Sequence, residues 1–512
     1  MKNVLEFIER SAEKYPDKLS VADINGGLTY KELEQTAKQI GAWLYQGLGG
    51  CKNRPVVVLL DKEPKSVAAF MGVVYSGNFY VVIDAEMPVD RVNKILKALQ
   101  PEAAVTDSKH LDKAAELQVE TEDGQGYGLK LFNMDEMDQT IDQSCLADVR
   151  AHMIDTDPVY ALFTSGSTGV PKGAVISHAN ILSYITWYTE AFDINETTIF
   201  GNQTPFYFSM SVSDLYSTLK NGATLYIIPK AYFSFPIKLM EFLNEKKVNT
   251  IYWVPSALSI IANYKMFRYA ELPELKKVLF AGEVMPTRPL NYWIENLPDA
   301  MYANLFGPTE TTDICTYYVV NRKFRDDEPL PMGNACNNCD VFVLGEDGKV
   351  VSPEINPETG FSAEGELYAR GSFVALGYYG NAEKTKEAFV QNPLNPNYPE
   401  LIYKTGDLVK YNKYGELVYI SRKDYQIKHM GYRIELGAIE GIRSYACIYD
   451  DAEDKIVFIY EGKKLDDAFL LGEFKKKVPH YMEPNQFVRV KSMPHNQNGK
   501  IDRKWLKNNY KL

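Results

Sequence analysis

Cysteine is scarce in this chain. Its six cysteines lie at positions 51, 145, 315, 336, 339 and 447 of 512 residues, too few and too scattered for a disulfide framework. Disulfide-rich extracellular scaffolds are therefore excluded, and we expect free thiols in a reducing compartment. Histidine is equally rare, with six residues, and no histidine or second cysteine pair lies near Cys336-Asn337-Asn338-Cys339 to complete a zinc site.

Long apolar runs and excess positive charge are also lacking. The longest uncharged stretch, Ser66–Ile83, contains Ser76-Gly77-Asn78, whereas a membrane-spanning helix needs about 20 mostly apolar residues. The N-terminal segment has acids within its apolar part, unlike a signal peptide. The net charge of −11 argues against a nucleic-acid partner and a polybasic membrane anchor. We expect a cytoplasmic protein that is not a membrane protein.

What the chain does contain is ordinary globular composition, 45% hydrophobic and 24% charged, at a length that buries a large core. Short apolar strands are predicted at Val56–Leu60, Phe79–Ile83, Val159–Phe163, Thr224–Ile228, Thr250–Val254 and Lys277–Ala281. Between them, helical periodicity is found at Leu33–Gln46, Val89–Leu99 and Ile181–Ala191. Apolar strands joined by helices favour parallel sheets.

The pattern changes after about residue 340. Val341–Leu344, Gly365–Ala369 and Leu417–Ile420 are separated by turn residues, which predicts antiparallel strands. Two further strands are predicted near the C-terminus, at Ala446–Tyr449 and Lys455–Tyr460. The predicted fold class is α/β. A large multi-layer N-terminal domain, residues 1–422, has parallel sheets and a small antiparallel β part, and a small mobile α+β C-terminal domain, residues 423–512, follows it.

The most informative segment is Thr164–Gly173, with the sequence TSGSTGVPKG directly after a predicted strand. Its three glycines allow close backbone approach, and its hydroxyl and N–H groups suit an anionic phosphate. Lys172 adds a positive charge. The segment is not a Walker A loop, because Pro171 precedes the lysine and the spacing differs. A flexible surface loop is the alternative, and the unbroken run of such residues argues against it.

Thr164–Gly173 resembles the phosphate-loop signature of the adenylate-forming enzymes, which include acyl-CoA synthetases, luciferases and the adenylation domains of peptide synthetases. Other segments are similar to this family's motifs and stand in the family's order: Gly77–Arg91, Asn304–Thr311, Gly365–Tyr379, Tyr403–Leu408, Ser421–Glu440 and Asn498–Arg503. Within the family, Leu279–Pro286 and Pro205–Tyr216 are most similar to stand-alone D-alanine–carrier protein ligases.

The resemblance implies a set of ATP contacts from several segments. They are Thr164, Ser165, Gly166, Thr168, Lys172, Asn304, Leu305, Phe306, Gly307, Pro308, Thr309, Asp407, Tyr419, Arg422 and Lys500. Asn304 matches an adenine contact, Phe306 the aromatic residue that packs on the ring, and Asp407 the ribose ligand. Glu310 matches the carboxylate that holds Mg²⁺. One carboxylate is sufficient, because magnesium takes further ligands from phosphates and water.

Lys500 is the predicted catalytic residue. The implied first reaction is attack of a carboxylate on the α-phosphorus of ATP, with loss of pyrophosphate, and a lysine at that point stabilises the charge that develops on the phosphoryl oxygens. An exposed lysine of a basic tail is the alternative. In the implied second reaction the C-terminal domain rotates about a hinge at Asp424, and a phosphopantetheine thiol attacks the acyl-adenylate. Since only twelve residues follow Lys500, we expect a separate carrier protein as partner, and a monomeric enzyme.

The implied acyl-substrate pocket departs from the family. Its residues are Ser209, Trp253, Ala281, Leu305 and Asp313. Amino-acid-activating relatives have an aspartate that binds the substrate's ammonium where this chain has Ser209. Asp313 either supplies the missing charge from another wall or is a solvated acid, and Trp253 is either a pocket residue or part of the strand core. A helix that relatives have after the position of Glu440 is also missing.

The predicted function is ATP- and Mg²⁺-dependent adenylation of a small amino acid, D-alanine first, followed by thioester transfer to the carrier's phosphopantetheine. Three alternatives stay open. The substrate is a β-amino, hydroxy or keto acid; or the acceptor is coenzyme A; or the chain is a degenerate, non-catalytic binding protein. Ser209 and the shortened C-terminal region motivate the last.

Overall fold

The structure is a computed structural model of the 512-residue chain. It describes residues 1–121, 124–137, 140–164, 171–423, 427–429, 432–434, 442–450, 455–477, 483–494, 505–506 and 509–511. Five residues with predicted roles lie outside this part of the chain: Ser165, Gly166, Thr168, Asp424 and Lys500.

Helices begin where the sequence offers capping groups. Thr29 and Glu32 form a capping box before the second helix, and Ser177 and Asn180 form one before the seventh, so that first-turn N–H groups are satisfied. The α-helices of the described residues are α1 (Leu5–Lys14), α2 (Tyr30–Gly47), α3 (Pro64–Tyr75), α4 (Val89–Leu99), α5 (Leu111–Glu116), α6 (Gln143–His152), α7 (His178–Ala191), α8 (Met210–Asn221), α9 (Pro236–Glu245), α10 (Pro255–Asn263), α11 (Thr287–Asn296), α12 (Ala382–Ala388) and α13 (Asp467–Lys477).

The strands are short and mostly apolar. In chain order they are β1 (Leu19–Ala22), β2 (Gly27–Thr29), β3 (Pro55–Val58), β4 (Phe79–Val82), β5 (Ala103–Thr106), β6 (Gln118–Glu120), β7 (Gly126–Gly128), β8 (Lys130–Asn133), β9 (Pro158–Thr164), β10 (Lys172–Ser177), β11 (Ile199–Asn202), β12 (Thr224–Ile227), β13 (Thr250–Trp253), β14 (Lys277–Phe280), β15 (Met301–Phe306), β16 (Thr316–Val319), β17 (Asn334–Ala335), β18 (Cys339–Leu344), β19 (Gly365–Gly371), β20 (Gly377–Tyr378), β21 (Phe389–Gln391), β22 (Leu401–Tyr411), β23 (Leu417–Arg422), β24 (Ile427–His429), β25 (Tyr432–Ile434), β26 (Ile442–Asp450), β27 (Lys455–Gly462) and β28 (Gln486–Val490).

Two large sheets form the body of the molecule. One has nine strands in the order β17-β16-β15-β14-β13-β11-β12-β1-β2, and the other has seven in the order β20-β10-β9-β4-β3-β5-β8. The middle of each sheet is parallel, for example β13 with β14 and β3 with β4. Antiparallel strands complete the edges, such as β16 on β15 and β10 on β9.

Most of the buried apolar side chains belong to one continuous core. It includes α3 residues such as Phe70, α7 residues such as Trp187, and strand residues such as Ile251. These elements are buried on several sides, which explains why their sequences are nearly uninterrupted apolar runs and not alternating patterns. No helix among the described residues is long and apolar enough to cross a membrane.

A smaller antiparallel sheet follows the two large ones. Its order is β18-β19-β22-β21, with β23 paired to β22. In the C-terminal region β26 and β27 are antiparallel, and β28 joins β27 in parallel. The α/β fold class, with parallel sheets in the larger part and antiparallel strands after about residue 340, is therefore confirmed. The domain boundary between residues 422 and 423 stays a prediction.

Candidate active site

A cavity of about 1930 Å³ lies at the carboxyl ends of the parallel strands of both large sheets. Its lining residues at or just beyond these strand ends are Val58, Val82, Gln203, Ile228, Val254, Gly282 and Phe306. In α/β sheets this edge is where ligands bind, because loops diverge there and leave a crevice. The cavity exceeds the range of about 300–1,000 Å³ that is usual for one small ligand, so it has room for a nucleotide and a second substrate.

One end of the cavity is formed by residues from two different sheets. Asn304–Gly307 line it from the end of β15, and Tyr419–Arg422 line it from β23. The rings of Phe306 and Tyr419 are 6.1 Å apart. The structure therefore brings together, at one wall, segments that the sequence predicts as nucleotide contacts and that lie more than a hundred residues apart.

Arg422 is fixed at this wall by a buried ion pair. Its Nη1 lies 3.2 Å from Oδ1 and 3.3 Å from Oδ2 of Asp407, and the two residues are register partners in β22 and β23. Gly406 has a φ of +75°, and a Cβ there would lie 3.0 Å from Arg422 Nη2. The glycine thus leaves room for the guanidinium, and Asp407 holds it in one orientation.

The predicted phosphate loop joins β9 to β10, and its two ends are described. Thr164 and Lys172 are register partners, and Thr164 Oγ1 donates a hydrogen bond to the Lys172 carbonyl at 3.4 Å. Lys172 Nζ lies 5.0 Å from the centre of the Tyr378 ring. The hairpin therefore directs the Lys172 ammonium toward Tyr378.

Glu310 is completely buried beside the same tyrosine. Its Oε1 accepts a hydrogen bond of 2.6 Å from the Tyr378 hydroxyl. Burial, and next the Glu310 charge, raise the pKa of Tyr378, so the hydroxyl remains a donor at physiological pH. Among the described residues no group of three or more His, Cys, Asp or Glu side chains is arranged to hold a metal. Glu310 fits a magnesium ion that takes one protein carboxylate and completes its shell with phosphate oxygens and water.

Asp313 lies in a cluster of hydroxyl groups. Its Oδ2 accepts hydrogen bonds from Ser213 at 2.6 Å, Tyr252 at 3.0 Å and Tyr184 at 3.2 Å, and the Ser209 hydroxyl is close enough to lower the pKa of this carboxyl. Asp313 is 1% exposed, so it is not a solvated acid. Burial raises its pKa to about 6, against the opposing effect of the four hydroxyls.

A strained turn places Asp313 in this cluster. Thr312 has φ 68° and ψ −54°, and the Asp313 N–H donates to the Thr311 carbonyl at 2.8 Å. This is a γ-turn of the positive-φ kind, which is rare, and costly for a β-branched residue. The Thr312 hydroxyl bonds to the Phe373 carbonyl at 2.8 Å and helps to hold the turn. Strain of this type is found mostly at functional sites.

The remaining predicted pocket residues occupy two layers. Leu305 lines the cavity and Ser209 is half-buried. Trp253 is fully buried and donates its indole N–H to the Gly201 carbonyl at 2.7 Å. Ala281 is also buried, directly before the cavity-lining Gly282. Trp253 and Ala281 are therefore buried beside the cavity and are not among its lining residues.

Other residues of the site were not predicted from the sequence. Ser213 stands four positions after Ser209, one helical turn along α8, so helical spacing alone is a signal that could have found it. Tyr184, Tyr252 and Tyr378 belong to distant segments and carry no such signal, because only the fold brings them to Asp313 and Glu310.

Two further charged residues beside the cavity, Lys62 and Asp214, were also not predicted from the sequence. Lys62 lines the cavity and donates from Nζ to the carbonyls of Gln203 at 3.0 Å and Asn202 at 3.4 Å. Asp214 accepts a hydrogen bond of 2.6 Å from Asn202. Burial lowers the pKa of Lys62 and raises that of Asp214. Lys62, which follows β3, and Asp214, in α8, thus both hydrogen-bond to the C-terminal end of β11.

The chain belongs to the AMP-binding enzyme family. The family model described as AMP-binding enzyme matches residues 8–379, which include strands β9 and β10, Asn304–Gly307 and the Asp313 cluster. It is an adenylate-forming ligase that uses ATP, and the resemblance of its motifs to this superfamily is confirmed.

Individual relatives are similar over nearly the whole length. A D-alanine–D-alanyl carrier protein ligase of Bacillus cytotoxicus is 31% identical over 534 aligned positions, which cover 98% of each chain. The protein of the same name from Bacillus cereus is 32% identical over 529 positions, again with 98% of each chain covered.

Solved structures show the same fold. The Vibrio cholerae adenylation domain AlmE, in complex with glycyl-adenosine-5'-phosphate, superposes with a TM-score of 0.81 at 22% identity, covering 99% of this chain and 97% of that one. Holo-PA1221, a protein with adenylation and PCP domains, superposes with a TM-score of 0.79 at 21% identity, covering 99% and 84%.

Proposed function

We propose that the protein activates a small amino acid, with D-alanine as the first candidate, and transfers it to the phosphopantetheine of a carrier protein. In the first step the substrate carboxylate attacks the α-phosphorus of ATP, so that a C–O–P bond forms and pyrophosphate leaves. No general base is needed, because a carboxylate is already ionised at neutral pH. In the second step the pantetheine thiol replaces AMP and forms a thioester.

The adenylation step is supported by the convergence of Asn304–Gly307 and Tyr419–Arg422 on one cavity wall. Phe306 and Tyr419 offer aromatic faces to a base. Arg422, oriented by Asp407, offers a fixed positive charge to ribose or phosphate oxygens. This convergence is the single observation on which the adenylation proposal depends most.

Lys172 and Glu310 belong to the phosphate side of this proposal. Lys172 would neutralise phosphate charge, and Glu310 would hold Mg²⁺, which draws electron density from the phosphoryl oxygens when bound. Tyr378 keeps the Glu310 carboxylate in place through its 2.6 Å hydrogen bond. Lys500, outside the described residues, is proposed to approach the α-phosphate and the attacking carboxylate.

D-alanine and the carrier acceptor are supported by the relatives named above, which match nearly all of this chain. The cavity has room for a pantetheine arm beside the nucleotide.

ATP–pyrophosphate exchange tests the first step. We expect exchange with D-alanine in a panel that also contains L-alanine, glycine, β-alanine, D-lactate, pyruvate and propanoate. Lys500→Ala should reduce exchange by about 100-fold or more, because it removes a charge that stabilises the transition state. Lys504→Ala, in the same basic tail, is the matched control and should keep exchange. Exchange with none of these acids would overturn the proposed function.

The acceptor is tested separately, with free coenzyme A and a pantetheinylated carrier protein in competition. We expect thioester formation on the carrier. Efficient turnover with coenzyme A alone would assign the enzyme to the acyl-CoA synthetases and leave the adenylation proposal intact.

A further inference from the structure

Asp313 is a buried carboxylate whose hydrogen-bond partners are hydroxyl groups. Ser213, Tyr252 and Tyr184 donate to its Oδ2 at 2.6–3.2 Å. None of the ion pairs between described residues includes Asp313. Burying a charge without an opposite charge costs free energy. The hydroxyl groups stabilise the Asp313 carboxylate, but no ion pair among the described residues gives it a positive charge.

Three other buried acids in the same molecule have a cation. Asp407 is paired with Arg422 at 3.2 Å, Asp107 with Lys65 at 2.7 Å, and Glu366 with Lys423 at 2.7 Å. The chain therefore follows the usual rule for buried acids at these three sites. Asp313 has hydroxyl partners instead, and Asp214 has an amide. In the Asp313 cluster the half-buried Ser209 marks a side from which a ligand can supply a positive charge.

Ser209 connects Asp313 to the cavity. It is half-buried, whereas Ser213, Tyr184 and Tyr252 are almost completely buried. Thr309 donates to Ser209 Oγ at 3.4 Å, and Thr309 stands two positions after the cavity-lining Gly307. Ser209 is thus the most exposed member of the hydroxyl cluster, and Thr309 joins it to the segment that begins at the cavity-lining Gly307.

We propose that the missing cation is the ammonium group of the substrate, which binds to the Ser209 hydroxyl and is held there by the Asp313 charge behind it. A serine hydroxyl has one donor and two acceptor positions. It can donate to Asp313 and still accept an N–H from the ammonium. Ser209 contacts the substrate, and Asp313 is a specificity-determining residue that acts through it.

This inference rests on the proposed function and narrows it to one substrate class. A small acid with an amine gains the Asp313 charge, whereas a hydroxy, keto or unsubstituted acid leaves that charge unpaired. D-alanine and D-lactate form the sharpest pair for the test, because they differ only by an ammonium in place of a hydroxyl.

The pH dependence follows from the groups that face Asp313. They are Tyr184 and Tyr188 on α7, Asp214 on α8, Tyr252 on β13, Tyr160 on β9, and Cys336. Burial raises the pKa of each tyrosine and of the cysteine, which therefore stay neutral. The pKa of Asp313 is raised to about 6, so below that pH it becomes protonated and loses its attraction for an ammonium.

The first experiment measures ATP–pyrophosphate exchange of wild type and Asp313→Asn with D-alanine and with D-lactate. We expect kcat/KM for D-alanine to fall by about 100-fold in the variant, mostly through KM, and for D-lactate to change by less than about threefold. In wild type, KM for D-alanine should rise as pH falls below about 6, and in Asp313→Asn this rise should disappear. Asp214 also has a raised pKa and is present in both proteins, so the difference between the two profiles reports Asp313.

Two further variants separate a positioning role from a structural one. Ser209→Asp combined with Asp313→Asn moves the carboxylate to the cavity wall, and we expect it to restore the preference for D-alanine. Asp107→Asn is the matched control, because it removes a buried carboxylate of the other large sheet and should leave the ratio of the two substrates unchanged.

A binding measurement supports the test when a variant turns over slowly. Calorimetry should show that D-alanyl-sulfamoyl-adenosine loses affinity for Asp313→Asn while propanoyl-sulfamoyl-adenosine does not. An unchanged ratio of D-alanine to D-lactate in Asp313→Asn, or a wild-type preference for D-lactate, would overturn the inference while adenylation stands. Failure of wild type to exchange with any acid would overturn the proposed function, and the inference with it.

Discussion

Two buried aspartates of this protein, Asp407 and Asp313, have different electrostatic surroundings. Asp407 is 0% exposed and has the Arg422 guanidinium beside it. Asp313 is 1% exposed and has hydroxyl groups instead. Hydroxyls stabilise a carboxylate less than a guanidinium does, and the pKa of Asp313 therefore stays raised, at about 6. Keeping Asp313 ionised therefore costs the folded protein some of its stability.

That cost predicts the effect of Asp313→Asn on stability. A carboxyl whose pKa is raised by folding binds protons more tightly in the folded state, so its contribution to stability falls as pH rises from about 4 to about 6. With the pKa raised from 3.8 to about 6, the charge costs about 3 kcal/mol at neutral pH. We expect Asp313→Asn to raise the free energy of unfolding of the ligand-free protein by about 1–3 kcal/mol at neutral pH, as measured by urea denaturation.

The pH dependence and a matched variant check this prediction. The advantage of Asp313→Asn should grow between about pH 4 and pH 6, because over that range the wild-type carboxyl is ionised in the unfolded state and still partly protonated in the folded state. Asp407→Asn should instead lower stability, since it leaves Arg422 buried without its partner. A loss of stability in Asp313→Asn at neutral pH, or a gain that does not vary with pH, would contradict the electrostatic explanation.

At the scale of elements, the connection from β15 to β16 forms much of the site. Gly307 lines the cavity, Glu310 bonds to Tyr378, and the turn at Thr312 presents Asp313 to α7, α8 and β13. The connection folds back on itself, with the Cys315 N–H donating to the Phe306 carbonyl at 2.8 Å. This tight return is possible because Gly307 has no side chain.

Gly307→Ala tests the packing of this connection. A Cβ at Gly307 would lie 2.3 Å from the Asp313 carbonyl oxygen and 2.4 Å from Ile314 Cα. Both are backbone atoms, which cannot rotate away. We expect a loss of about 2–4 kcal/mol of stability and loss of pyrophosphate exchange, measured by thermal unfolding and by exchange.

Gly128→Ala is the control for this substitution. Gly128 lies in β7, and a Cβ there would have its nearest neighbour at 3.7 Å, an ordinary contact. Its stability should change by less than about 1 kcal/mol. Full activity of Gly307→Ala would show that the connection can shift, and would remove the steric argument.

At the scale of the whole molecule, two parallel sheets open toward one cavity. Strand ends from both contribute lining residues, such as Val58 and Phe306, and the small antiparallel sheet adds Tyr419 and Arg422. A ligand in this cavity therefore contacts elements from three sheets. We expect bound ATP to protect all three sheets against unfolding together, since ligand binding stabilises each part that it contacts.

The proposed second reaction needs a movement of the C-terminal region as a unit. Asp424, the predicted hinge, stands two positions after Arg422, the last residue of β23. Proline fixes φ and restricts the preceding residue, so Asp424→Pro should block thioester formation on the carrier while pyrophosphate exchange persists. Asp424→Ala, which keeps the backbone free, should retain both activities. Loss of exchange together with thioester formation in Asp424→Pro would contradict the hinge role.

Much of the fold was predictable because its strands are buried on both faces. Strands β4, β13 and β14 agree with their predicted ranges to within one residue, and α4 has the predicted bounds. Apolar runs of this kind carry a strong local signal. The Asp313 cluster carries none, because Tyr184, Ser213 and Tyr252 lie on three elements that are separated in sequence by up to 129 residues from their common partner.

The sequence alone identifies the family and the α/β class and predicts where the nucleotide motifs lie, since these depend on local patterns of glycine, hydroxyl and apolar residues. It also showed that Ser209 stands where an acid was expected. It leaves open whether Asp313 is solvated or buried, because burial depends on the tertiary structure. In the folded protein α7, α8 and β13 exclude water from Asp313 and surround it with hydroxyl groups. The residues next to Asp313 in the sequence do not reveal these surroundings.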